Sequence, residues 1–165
     1  MRTERPESVL PYGGTERKEV QVRRMFDAIA RRYDGMNRVL SFGFDRRWRR
    51  AAVDFLRPYG PVAILDVASG TGDMALGLCR RLPSARVVGA DLSRGMMAVG
   101  AEKVARAGLS DRIVFEYQDC MSLSHGEGSF DAVTVAFGVR NFARIETGLA
   151  EMYRVLRPGG HVVVL

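Results

Sequence analysis

Apolar residues in this chain alternate between two spacings. Short unbroken runs, from Val62 to Asp66 and then at 87–91, 113–117, 130–137 and 161–165, have the length and β-branched content of buried strands. Between them apolar positions recur every three or four residues. That predicts helices from Met74 to about Leu82, from Arg94 to about Ala107 and from Ala143 to about Leu156. Pro83 stops the first, Gly108 caps the second, and Pro158-Gly159-Gly160 turns the chain into the last strand. Upstream, Val22, Phe26, Ile29 and Tyr33 recur at helical spacing from Glu19, with Arg23, Arg24, Arg31 and Arg32 mostly elsewhere on the wheel. Residues 34–44 read as irregular, because Gly35, Asn37, Ser41 and Gly43 interrupt them. A second helix spans 45–56, with Trp48 as a packing residue. Residues 1–18 read as a mobile tail. One domain follows, 19–165, divided into N-terminal helices (19–60) and a cofactor-binding sheet (61–165).

Strands alternating with helices imply an α/β fold: a Rossmann-like parallel sheet with helices on both faces. A ligand in such a fold lies at the C-terminal strand ends. There the first strand ends at Asp66, breaks at Gly70-Thr71-Gly72 and resumes as a helix. Gly70 and Gly72 can take positive φ and leave the backbone open to a ligand, and the helix start offers free N–H groups. Asp66 and Asp73 narrow the choice: two carboxylates here would repel a pyrophosphate, whereas the ammonium and sulfonium of S-adenosylmethionine suit them. Asp91, at the end of the next strand, is placed for ribose hydroxyls, a role that an NAD site would share. Asp119 and Cys120, after the third strand, would flank an adenine.

Composition adds three limits. The length and the share of hydrophobic residues, 47%, fit one globular domain. Two cysteines, Cys79 and Cys120, match neither a disulfide framework nor a metal motif, so a reducing compartment and no metal are expected. No signal peptide or membrane-spanning run is legible, which makes the cytoplasm the expected location. The net charge of +6 lies wholly in the N-terminal third: residues 1–60 hold 14 Lys and Arg against 8 Asp and Glu, and the remainder balances. The basic helix reads first as packed on the sheet with a solvated basic face, next as a surface that also touches anionic lipid, and last as a nucleic-acid contact, for which no reading helix or RNA-stacking sheet is present. His125 reads as a plain surface residue.

The segments Phe26-Asp-Ala-Ile-Ala-Arg-Arg-Tyr-Asp-Gly-Met-Asn37, Leu40-Ser-Phe-Gly43, Trp48-Arg-Arg50, Leu65-Asp-Val-Ala-Ser-Gly-Thr-Gly-Asp73, Phe137-Gly-Val-Arg-Asn141 and Tyr153-Arg-Val-Leu-Arg-Pro-Gly-Gly160 resemble the C-methyltransferases of ubiquinone and menaquinone biosynthesis, from about Val20 onward. The Tyr-Asp-x-Met-Asn and Phe-Gly-Val-Arg-Asn blocks are the specific ones. The resemblance implies a class I S-adenosylmethionine-dependent methyltransferase fold. It also implies methyl transfer to a ring carbon of a prenylated quinol, either demethylmenaquinol or a polyprenyl-methoxybenzoquinol. Thr71, Asp91, Asp119 and Cys120 match the family's cofactor positions, beside Asp66, Gly70 and Gly72 from the reading above. Arg140, Asn141 and Tyr33 match the residues lining the quinol, with Arg140 steadying a phenolate. No general base is named.

Such enzymes usually carry two further strands and a helix, so the resemblance makes this chain a truncated form with an apolar fifth strand at the edge. It is then a fragment, or another chain completes the sheet in a homo-oligomer or a quinone-biosynthesis complex. Three other functions stay open: an inactive cofactor- or partner-binding homologue, another small-molecule or RNA methyltransferase on the same fold, and an NAD-dependent oxidoreductase.

Overall fold

The computed structural model describes Pro11 and residues 15–165. The tail expected over residues 1–18 thus falls mostly outside the described residues, and a helix begins at Lys18. Five strands form one sheet: β1 (Ala63–Val67), β2 (Arg86–Asp91), β3 (Ile113–Tyr117), β4 (Phe130–Val135) and β5 (Leu156–Val164). Every neighbouring pair is parallel, in the order β3-β2-β1-β4-β5. The strand order therefore reverses beside β1, which creates the crevice where open α/β sheets hold ligands. Five helices connect and cover the sheet: α1 (Lys18–Leu40), α2 (Phe44–Leu56), α3 (Asp73–Arg81), α4 (Arg94–Arg106) and α5 (Ile145–Val155).

The two-residue period of β1 sorts the core. Ile64 packs with Val53 and Leu56 of α2 and Leu78 of α3, while Leu65 and Val67 pack with Met152 and Val155 of α5. Each of these side chains is essentially fully buried, worth about 1.5–3 kcal/mol apiece in transfer terms. One contact pins the glycine turn to this frame. The Phe115 ring of β3 rests on three glycines, and a Cβ added at Gly72, Gly89 or Gly100 would lie 2.7, 2.8 or 2.7 Å from its atoms. A side chain at any of the three would have to displace the Phe115 ring.

The fold departs from the sequence reading at four places. First, residues 34–40 are the last turns of α1, not an irregular link. Gly35 is exposed and costs a helix about 1 kcal/mol, but Asp34 is held from outside the helix by Thr71 and Lys103. Tertiary anchoring outweighs propensity. Second, α5 starts at Ile145 rather than Ala143, after a short helical turn at Val139–Asn141. Third, β5 already pairs at Leu156 with Phe130, and residues 157–160 bulge out before His161 meets Ala132. An ion pair from Arg157 to Asp131, at 2.6 Å, keeps the bulge on the sheet. Fourth, His125 is half-buried rather than a plain surface residue. It lies edge-on to Phe130 and 3.0 Å from Glu116 Oε2. β5 is an edge strand, and its Val162 and Val164 are exposed.

Candidate cofactor and substrate cleft

The turn after β1 is shaped by backbone conformations that few residues adopt. Ala68, Gly70 and Gly72 have φ of +51°, +55° and +74°, and the loop after β4 contributes Phe137 at +62°. A non-glycine residue in this region is strained, and such strain concentrates at functional sites. The two loops nearly touch, since a Cβ on Gly138 would lie 2.5 Å from the Ala68 Cβ. Asp91 ties the turn to β2, its two carboxylate oxygens accepting from the N–H groups of Gly70 and Ser93, both at 2.8 Å.

An open cleft lies at these strand ends. Of the expected cofactor residues Asp66, Gly70, Thr71, Asp91, Asp119 and Cys120 line it, and Gly72 supports it from behind as the cap of α3. Of the expected quinol residues Tyr33 and Asn141 line it. Arg140 is exposed on the turn alongside and is not part of the lining.

Asp66 has the least ordinary environment. It is 1% exposed, and Oδ1 accepts from Thr134 Oγ1 at 2.7 Å, while Oδ2 has no hydrogen-bond partner among the described residues. Burial pushes its pKa up to about 7, against a smaller lowering by Thr134. The folded-state pKa is raised, so the folded chain keeps a proton that the unfolded chain loses. The stabilisation is complete below about pH 4 and is lost as pH rises to about 7. Asp66→Asn is therefore expected to flatten the fall in stability across that window, with a difference on the order of 4 kcal/mol at neutral pH. Denaturant midpoints measured from pH 4 to 8 check this; parallel profiles for the two proteins would refute it. Asp91 is also raised, chiefly by burial, against the lowering from its Ser93 and Gly70 contacts.

Asp73 corrects the charge argument drawn from the sequence. Its carboxylate contacts Lys103 Nζ of α4 and lies 3.9 Å from Arg49 Nη1. A carboxylate so compensated repels an anion weakly, so Asp73 does not discriminate against a pyrophosphate. Lys103 also donates to Asp34 Oδ2 at 2.7 Å, while Thr71 Oγ1 donates to Asp34 Oδ1 at 2.5 Å. Asp27 of α1 accepts from Ser93 Oγ and the Gly95 N–H. Two carboxylates of α1 thus latch that helix across the turn and the start of α4.

The residue that sequence reasoning missed is Arg49. In the Arg46-Arg47-Trp48-Arg49-Arg50 run, Arg46, Arg47 and Arg50 are exposed, but the Arg49 side chain is 12% exposed and lines the cleft. It pairs with buried Asp45 at 2.5 Å and lies over the Phe137 ring, 5.3 Å from its centroid. The signal was available. Asp45, Arg49, Ala52, Val53 and Leu56 share one helical face, and four of them are apolar or its own counter-ion. Arg49 and then Arg140 pull the Tyr33 phenol down against the larger effect of burial, which leaves its pKa raised. Cys120 is pushed up to about 12, first by burial and then by Asp119, so its thiol stays protonated.

Solved structures with this architecture define the class. The [4+2]-cyclase SpnF superposes with a TM-score of 0.76 at 26% identity, covering 88% of this chain and 59% of that one. A SAM dependent methyltransferase from Aquifex aeolicus gives 0.61 at 20% identity, over 68% of this chain and 62% of its own. The chain has the class I S-adenosylmethionine-dependent methyltransferase fold. It belongs to the ubiE/COQ5 methyltransferase family, whose profile matches residues 14–165. It is 52% identical over 159 residues to a demethylmenaquinone methyltransferase of Bacteroides fragilis, which covers 96% of this chain and 65% of that protein. It is 49% identical over 155 residues to a ubiquinone/menaquinone biosynthesis C-methyltransferase of Geobacter sulfurreducens, 93% and 60% respectively. The chain spans less than two thirds of the length of either relative.

Proposed function

We propose that this chain binds S-adenosylmethionine in the cleft and methylates a ring carbon of a prenylated quinol of the menaquinone or ubiquinone type. The observation that carries the reading is Asp66 Oδ2, a buried carboxylate oxygen that lines the cleft without a partner, beside the positive-φ glycines of the turn. An ammonium is the group that such an oxygen accepts best. Asp91 is the acceptor for ribose hydroxyls, Thr71 and Gly70 shape the turn, and Asp119 and Cys120 flank the base. Bound there, the cofactor supplies an electrophilic methyl group on a sulfonium.

The ring needs electron density at the attacking carbon, and that comes from loss of a quinol hydroxyl proton. The new carbon–carbon bond would form as the methyl–sulfur bond breaks. The ring carbon would then shed its own hydrogen as a proton, one proton returning to the phenolate oxygen and one leaving to water. Arg49 and Arg140 are the cations near Tyr33 that favour the resulting phenolate. Tyr33 and Cys120 stay protonated at neutral pH, so Tyr33 and Asn141 act by donating hydrogen bonds and orienting the ring, not as bases. Substrate positioning against the methyl group carries much of the acceleration. The quinol is a bilayer lipid, so the chain works at an anionic membrane face, on the cytoplasmic side. Among the described residues no helix is long and apolar enough to cross a membrane.

SpnF, named as a [4+2]-cyclase, favours one second reading, in which the cleft holds the cofactor without transferring its methyl group. Incubation with methyl-labelled cofactor and a short-chain demethylmenaquinol decides. Label in the quinol, bound through carbon, is the expected result; cofactor binding with no label transferred supports the second reading.

A further inference from the structure

The elbow that joins α1 to α2 is apolar where it meets water. Val39, Leu40 and Phe42 are 74%, 76% and 90% exposed, and Met36, Phe44 and Trp48 beside them are about half exposed. Six large apolar side chains within thirteen residues form an exposed patch that calls for an occupant. Phe42 stands at the tip of a tight turn, with φ of +50°, between the hydrogen bonds Phe42 N to Val39 O and Phe44 N to Ser41 O. A bulky residue in that region is strained, and a turn that holds it there presents the ring outward.

Charge identifies the occupant. Arg46, Arg47 and Arg50 are exposed on the adjoining face of α2 and line one shallow depression with Gly43, Ala51 and Asp54, the last paired with Arg81 at 2.6 Å. Between residues 35 and 53 the sole acid is Asp45, which is buried against Arg49. Both nearby acids thus have their own counter-ions, and the elbow shows water apolar tips and an excess of cations, the chemistry that an anionic bilayer surface attracts. A ring ladder leads inward from it. Phe44 stacks on Trp48 at 6.1 Å, Trp48 lies 6.0 Å from Phe137, and Phe137 lines the cleft.

We infer that the α1–α2 elbow is a membrane-docking surface, with Phe42, Leu40 and Val39 entering an anionic bilayer and Arg46, Arg47 and Arg50 contacting its headgroups. The aromatic ladder is then the route by which a prenylated ring passes from bilayer to cleft. This last step rests on the quinol reading; the docking does not. The surface differs from the basic face of α1, where Arg23 donates to the Tyr117 hydroxyl and Arg24 pairs with Glu16.

Trp48 is the chain's one tryptophan and reports on the surface directly. The chain is mixed with vesicles of phosphatidylcholine alone or with phosphatidylglycerol, some with brominated acyl chains. With phosphatidylglycerol the emission of Trp48 is expected to shift to the blue and to be quenched by the bromine. Phe42→Asp and the pair Arg46→Glu/Arg47→Glu should each weaken partitioning about tenfold or more at low salt. Arg31→Glu/Arg32→Glu on α1 serves as the control and should change it by less than the elbow pair. Three results overturn the inference: no blue shift with anionic vesicles, binding with Trp48 unquenched, or loss through the α1 pair instead. A blue shift that follows protein concentration without vesicles also overturns it, since a second copy is then the occupant. Methylation of a short-chain soluble quinol by Phe42→Asp separates the two readings. Docking without methylation rejects the quinol reading alone, and methylation without docking rejects the membrane surface alone.

Discussion

Replacing Arg49 with methionine is expected to lower the rate of methyl transfer by about 100-fold or more while changing the affinity for S-adenosylhomocysteine less than about threefold. Arg49 is a largely buried cation of the cleft wall, beside Tyr33 and over the Phe137 ring. Its charge counts most when a phenolate forms, which places the loss in the chemical step. The variant also leaves Asp45 buried and unpaired, at a cost of about 3–5 kcal/mol. The double variant Asp45→Asn/Arg49→Met should recover most of that stability and none of the rate. Single-turnover kinetics, calorimetry and denaturant midpoints on the single and double variants separate the two effects. A rate restored along with stability would make Arg49 a structural residue only.

The second large effect concerns Asp91. It accepts from two backbone N–H groups, and the proposal adds the ribose hydroxyls to them. Hydrogen bonds to a charged acceptor are worth about 1.5–3 kcal/mol each. Asp91→Ala should then weaken S-adenosylhomocysteine binding by about 100-fold or more, through lost contacts and a loosened Gly70 turn. Asp91→Asn keeps one carbonyl acceptor and should lose less, about tenfold. Calorimetric titration of both variants checks the order; equal affinities for Asp91→Ala and the parent chain would remove Asp91 from the site.

Much of this was legible in the sequence because the signals are local. Strand β1 reads directly from Ile64, Leu65 and Val67 next to the glycine turn, and the acid ending β2 falls where a nucleotide fold needs it. The resemblance carried Tyr33 and Asn141 to positions that line the cleft. What escaped depends on contacts between distant residues. Asp73 looked like a free carboxylate because its partner Lys103 lies thirty residues on, across α4. The end of α1 looked irregular because Gly35 and Asn37 disfavour a helix, and nothing local shows that Asp34 is anchored by Thr71 and Lys103. Arg140 matched a motif, yet the turn leaves it exposed beside the cleft, while Arg49, hidden in an arginine-rich run, faces inward. The β5 bulge, with its ion pair to Asp131, reads in sequence as a plain Pro-Gly-Gly turn.

The claim on which the account turns is that this cleft holds an adenosylated, positively charged cofactor and not a dinucleotide. Titrating the chain with S-adenosylhomocysteine and, in parallel, with NADH tests it in one calorimeter run each. The account predicts micromolar binding of S-adenosylhomocysteine and none of NADH. Tighter binding of NADH, or a folded chain that takes up neither, would contradict it.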